Sequence, residues 1–201
     1  MQNSILLTGI TYFIISYLIG GFPTSAVIAR FKGGVDLSKQ GSGNLGATNV
    51  ARVIGRKFGI ITLVVDALKG FIPVFFAMKY FHFPVLILSF IIIAPLIGHC
   101  YSIYIKFKGG KGVATALGIF LAVSPVAVLI AFVIFLMIVM LSRYVSFASI
   151  TSAFFMPFLI FYRLKNLDFF YAAVFISLLI IYKHAPNIKR LLDGTEHKIK
   201  I

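Results

Sequence analysis

Long apolar runs alternate with short polar intervals along the whole chain: Ile5 to Ala29, Phe58 to Met78, Phe83 to Ile105, Val113 to Leu141, Tyr144 to Tyr162 and Phe169 to Tyr182. A helix crossing a hydrocarbon core about 30 Å thick needs about 20 such residues, so each run except one predicts a single membrane-spanning helix. The exception is Val113 to Leu141. With its preceding glycines it covers roughly 30 residues, or about 45 Å at 1.5 Å per residue. Ser124-Pro125 inside this run predicts a break, because proline lacks a backbone donor and disfavours helix in the residue before it. Splitting there predicts an all-α integral membrane protein of seven transmembrane helices, folded as one polytopic domain over residues 1–201.

Charge placement orients these spans, since Lys and Arg concentrate in cytoplasmic loops. With the N-terminus outside and the C-terminus cytoplasmic, 15 of the 19 Lys and Arg residues fall on the cytoplasmic side. Lys79, Arg163 and Lys165 remain outside, and Lys69 lies within a span. Keeping Val113 to Leu141 as one crossing flips every later segment and moves the C-terminal cluster outside, so seven spans fit better. The first basic residue is Arg30; without a charged start the N-terminus reads as a retained span rather than a cleaved signal.

Composition agrees, with 60% hydrophobic residues and 22 Phe. The five acidic residues leave a formal charge of +14, so the polar parts attract anions, and a membrane setting favours phosphorylated metabolites and lipid headgroups over nucleic acid. Cys100 is the single cysteine, which excludes an internal disulfide or thiolate metal cage. Nothing in the sequence implies a metal, a redox cofactor or an obligate protein partner.

Three polar segments fall on the predicted cytoplasmic face. In Gly41-Ser-Gly-Asn-Leu-Gly-Ala-Thr-Asn-Val-Ala-Arg52, Gly41, Gly43 and Gly46 allow backbone N–H groups to converge on an anion, and Ser42, Asn44, Thr48 and Asn49 add donors. Thr48 and Arg52 share a helix face if a helix starts near Leu45. A flexible loop whose Ser and Asn cap a helix is the competing reading. In Gly109-Gly110-Lys111-Gly112 a lysine stands in a flexed turn leading into a helix; the spacing is not that of a Walker A loop. A helix N-terminus with Lys111 suits an anion, whereas an interfacial turn touching lipid phosphate explains the same residues. The third segment pairs His184 with Asn187, three residues apart, followed by Arg190; His184 can orient a hydroxyl or move a proton, or be an ordinary interfacial residue. Asp193 and Glu196 read as neutralising groups for Arg52, Lys111 or Arg190. Asp66 and Lys69 read as a mutual pair within a span, and His99 as a packing group. Ser146 and Ser149 reach headgroup level, and one of them can complete an anion site. No Ser-His-Asp constellation or reactive cysteine is evident.

Taken together, Gly41 to Arg52, Gly98 to Thr115, Arg143 to Ser149 and His184 to Glu196 resemble the bacterial acyl-phosphate-dependent glycerol-3-phosphate acyltransferases, with the four motifs in family order. Phe147 stands where leucine is expected. The resemblance implies a seven-helix inner-membrane enzyme with a cytoplasmic active site. It implies acyl phosphate and glycerol 3-phosphate as substrates, lysophosphatidic acid and phosphate as products, and a place in phospholipid synthesis. It also implies that Ser42, Arg52, Lys111, His184 and Asn187 carry catalysis and substrate contacts. Gly41, Gly43, Asn44, Gly46, Thr48, Asn49, Gly110, Gly112 and Ser149 are the accompanying substrate-binding positions.

Overall fold

The computed structural model of the chain describes residues 2–199, and these are mostly helical, with no strand among them. The helices are α1 (Gln2–Gly21), α2 (Thr24–Phe31), α3 (Ala47–Val53), α4 (Arg56–Tyr80) and α5 (Val85–Cys100), then α6 (Val113–Val123), α7 (Pro125–Ser142), α8 (Val145–Leu164), α9 (Leu167–Lys183) and α10 (Ala185–Leu192). A 3-10 turn over Ile103–Ile105 follows α5. The chain packs as two compact units, one ending at Val123 and the other beginning at Ser124.

The predicted break between them is present. Ser124 caps α7 by accepting a hydrogen bond from the Ala127 N–H at 3.4 Å, and Pro125 takes the first helical turn, where its missing N–H costs nothing. The first apolar run also breaks, between α1 and α2, because Pro23 cannot continue the hydrogen-bond ladder and disfavours helix at Phe22.

Four stretches are long and apolar enough to cross a membrane: Asn3–Phe31, Arg56–Tyr80, Pro125–Ser142 and Val145–Leu164. The pair α9 and α10, bent by 55°, passes the same test together. At 16 and 11 residues, α5 and α6 are shorter than a full crossing. The seven-span expectation therefore depends on α5 and α6 crossing as short helices. Leu129, Met140, Phe154 and Leu178 stand outward and more than half exposed, an arrangement that suits lipid rather than water.

Within the first unit, α4 packs mainly on α6 and α1 on α5. Small residues bring the backbones together, the usual device where lipid removes the hydrophobic drive between helices. A methyl group on Gly70 would overlap the Thr115 carbonyl, and one on Gly118 the Ala67 carbonyl. Within the second unit, α8 packs against both α7 and α9. The Ser152 hydroxyl donates to Ala131 O at 3.2 Å, and Asn166 caps α9 by accepting from the Phe169 N–H at 3.1 Å.

Candidate functional site

In the first unit the glycine-rich segment is an ordered loop built around one amide. Asn49, in the first turn of α3, is 1% exposed. Its Nδ2 donates to Leu37 O at 3.2 Å and Gln40 O at 3.0 Å, and its Oδ1 accepts from the Ser42 N–H at 2.8 Å. A small core of Ala29, Leu37 and Val50 anchors the loop from beneath. Gly41 takes a left-handed φ of 61° directly against Asn49, where any side chain would overlap the amide oxygen. Two N–H groups expected to face an anion are thus turned inward: Ser42 N–H bonds Asn49, and Gly43 N–H bonds Gln40 O at 3.0 Å. Asn49 therefore shapes the loop from inside. Ser42, Asn44 and Gly46 are half-buried, while Gly43, Thr48 and Arg52 are exposed, Arg52 on the last turn of the short α3.

The lysine turn is built between α5 and α6. After the 3-10 turn, Ser102 N–H bonds Lys108 O at 3.3 Å, which closes a tight loop and returns the chain to the end of α5. Gly110 is buried against the His99 ring, and a methyl group there would overlap Nε2. Gly112 has a φ of 83° and its carbonyl accepts from Ala116 N–H at 2.8 Å, which starts α6. Half-buried Lys111 is presented between these two glycines.

Gly109 and Gly110 form one wall of a small cleft open to the outside. Thr24, Ser25, Asp66, Lys69, His99 and Ser102 supply its polar side chains, and Leu45 brings the glycine-rich loop to its edge. Lys69 Nζ lies 2.9 Å from Asp66 Oδ1, so the expected intramembrane pair is formed. The sequence pattern alone does not assign Asp66, Lys69 or His99 to the site. The signal that finds them is an ionisable pair three residues apart inside an apolar helix, which defaults to function rather than packing.

In the second unit the tail folds back over the ends of α8 and α10 and is organised by Glu196. Its Oε1 accepts from Asn187 Nδ2 at 2.7 Å and Ser146 Oγ at 2.9 Å, and its Oε2 accepts from Arg190 Nε at 2.6 Å. Burial pushes the Glu196 carboxyl up, but these three hydrogen bonds and the Arg190 charge outweigh it and hold it below the usual carboxylate range. Ile199 N–H bonds Arg143 O at 2.9 Å, pinning the strap's far end. Of the expected counter-charges, Glu196 pairs with Arg190.

His184 is 2% and Asn187 3% exposed, and the Asn187 N–H donates to His184 O at 2.8 Å across the start of α10. His184 Nδ1 lies 2.8 Å from Ile180 O. A carbonyl only accepts, so Nδ1 carries the proton and the lone pair of the neutral ring is on Nε2. Ser149 turns its hydroxyl back to Val145 O at 2.9 Å, whereas Ser146 joins Glu196. The structure thus brings together Ser42 with Asn49, Gly110 with the buried charge pair, and Asn187 with Glu196.

Comparison with known proteins places this arrangement. The profile of the glycerol-3-phosphate acyltransferase family matches residues 10–194. The glycerol-3-phosphate acyltransferase of Syntrophotalea carbinolica is 49% identical over 185 residues, covering 92% of this chain and 94% of that one. The Aquifex aeolicus protein of the same name is 48% identical over 188 residues, covering 92% and 96%. Two crystal structures of PlsY, an integral membrane glycerol 3-phosphate acyltransferase, cover 96% of both chains: the glycerol 3-phosphate form at TM-score 0.91 and 44% identity, and the lysophosphatidic acid form at 0.88 and 43%. With the family's profile, its helical fold and its motifs all matched over nearly the whole length, this chain belongs to the glycerol-3-phosphate acyltransferases and is a multi-pass membrane acyltransferase.

Proposed function

We propose that this chain transfers a fatty acyl group from acyl phosphate to the 1-hydroxyl of sn-glycerol 3-phosphate, giving lysophosphatidic acid and phosphate, the first acylation of phospholipid synthesis. The observation that carries the reading is the overlap, over 96% of both chains, with a related enzyme crystallised in its glycerol 3-phosphate form. The proposal places the reaction at the cytoplasmic face of a bacterial inner membrane. The chain crosses as one polytopic body of seven spans, with α1 and α2 counted as one and the short α5 and α6 included.

In this reading the substrate hydroxyl oxygen attacks the acyl carbonyl carbon, the bond between that carbon and the phosphate oxygen breaks, and phosphate leaves with the electron pair. Phosphate is a good leaving group, so no protein nucleophile is needed. Arg52 and Lys111 hold glycerol 3-phosphate, the first by bidentate contact and the second as a point charge. Ser42 and the ordered loop from Gly41 to Gly46, with Asn44 and Thr48, hold the acyl phosphate. Gly110 and Gly112 set the lysine turn, Ser149 adds a hydroxyl, and Asn187 polarises the acyl carbonyl. The hydroxyl proton passes to His184 Nε2 or to a substrate phosphate oxygen. The Nδ1 contact with Ile180 O supports the first route by leaving Nε2 as the acceptor.

The test is donor choice by the purified protein in detergent. Acyl phosphate should give one phosphate released per lysophosphatidic acid formed, with acyl thioesters inert; equal turnover with a thioester overturns the proposal. Replacing Lys111 or Arg52 by alanine should raise the KM for glycerol 3-phosphate by about tenfold or more. His184→Ala with undiminished kcat would leave the substrate phosphate as the proton acceptor.

A further inference from the structure

The buried charge in the first unit is more elaborate than neutralisation requires. Asp66, Lys69 and His99 are each at least nine-tenths buried on the cleft wall. Lys69 Nζ donates to Asp66 Oδ1 at 2.9 Å and to Phe22 O at 2.8 Å, a carbonyl in the break between α1 and α2 that also accepts from Thr24 N–H. Asp66 Oδ1 also accepts from Thr24 Oγ1 at 2.9 Å and lies 4.0 Å from His99 Nδ1. The opposite edge of the same ring, Nε2, is packed against Gly110. A continuous line of contact therefore runs from an ion pair inside α4, through one imidazole, to the residue preceding Lys111.

We infer that His99, wedged between the Asp66 carboxylate and Gly110, is a positioning residue that sets the height of the Gly109 to Gly112 turn and so the place of the Lys111 ammonium. The consequence for substrate rests on the reading that Lys111 grips glycerol 3-phosphate. Two features favour this over packing alone. A buried ion pair is commonly replaceable by apolar residues with no loss of stability, so packing gives no reason to keep one here. The ring also stands where Gly110 carries no side chain, so the turn rests directly on the imidazole and has no tolerance for a shift.

The test is a double-mutant cycle on the full chain in detergent, with wild type, His99→Ala, Gly110→Ala and the double variant. Each is measured for kcat, for KM of both substrates, and for thermal midpoint. His99→Ala should raise the KM for glycerol 3-phosphate by about tenfold, with kcat and the acyl phosphate KM within about twofold. Gly110→Ala should raise it further by overlapping Nε2. In the double variant the added methyl enters the space vacated by the ring, so its KM should fall at least about tenfold short of the product of the single effects. Unchanged KM in His99→Ala, or an additive cycle, overturns the inference. If His99→Ala does not purify, His99→Gln, which keeps most of the volume, should raise KM by about threefold, and no change would again overturn it. Amide hydrogen exchange at residues 109–113 in the ligand-free protein reads the turn independently of activity. His99→Ala should accelerate it by about tenfold while leaving residues 41–46 unaltered. Wild type that fails to acylate glycerol 3-phosphate sinks the functional reading, whereas exchange unaffected by His99→Ala sinks the positioning role.

Discussion

The loop before α3 and the strap after α10 solve one problem by different chemistry. Each is a polar segment without regular structure, and each is organised by a single side chain that bonds three groups. In the loop the organiser is a neutral amide that satisfies two carbonyls and one N–H, all of them backbone. In the strap it is a carboxylate that collects an amide, a hydroxyl and a guanidinium, all of them side chains. Charge-assisted hydrogen bonds are about twice as strong as neutral ones, but only the second arrangement depends on a proton. The amide fixes a shape; the carboxylate fixes the orientation of other residues, Asn187 among them.

Four predictions test that contrast. The largest effect belongs to Glu196→Ala, which leaves three donors without their common acceptor. It should cost about 2–4 kcal/mol and lower kcat/KM by about 100-fold through misplacement of Asn187, read by thermal unfolding and steady-state kinetics in detergent. Asn49→Asp comes next. A carboxylate replaces an amide that donates to two carbonyls, so the loop should open and lose about 2 kcal/mol, seen as faster exchange at residues 37–43.

Acidification separates the two organisers without mutation. The folded pKa of Glu196 lies below its ordinary value, so its contribution is complete above the usual carboxylate range near about 4.3 and disappears as pH falls through the lower folded value. Proteolytic release of residues 195–199 should rise across that acid window in wild type. It should be flat in Glu196→Gln, and residues 37–43 should show no step. The smallest effect is expected of Ser146→Ala, which removes one of three donors and should cost about 1 kcal/mol.

Much of this was legible in the sequence because hydrocarbon imposes simple rules. The apolar runs predicted the long helices, Ser124-Pro125 predicted the break where the two units divide, and Asp66 and Lys69 were readable as a pair from their spacing. Four motifs identified the family. Other features were hidden for physical reasons. The break at Pro23 was hidden because the run from Ile5 to Ala29 is close to the length of one span and offers no excess to divide. Asn49 read as a substrate donor, since sequence cannot say whether an amide faces out or in. The roles of Glu196 and His99 depend on contacts between residues far apart along the chain, 50 positions in the case of Ser146, and no local pattern encodes those.

The shortness of α6 has a consequence for where chemistry happens. Eleven residues rise about 16 Å, whereas the 25 of α4 rise about 37 Å. The two cross at Gly70 and Gly118, near the midpoint of each. Both ends of α6 thus stop several ångströms short of the ends of its neighbour, and Lys111 stands two residues before its first turn. If the lysine turn grips glycerol 3-phosphate as proposed, a charged headgroup precursor descends past the end of α4 to meet it, while a lipid tail already dissolved in the bilayer has only a short climb.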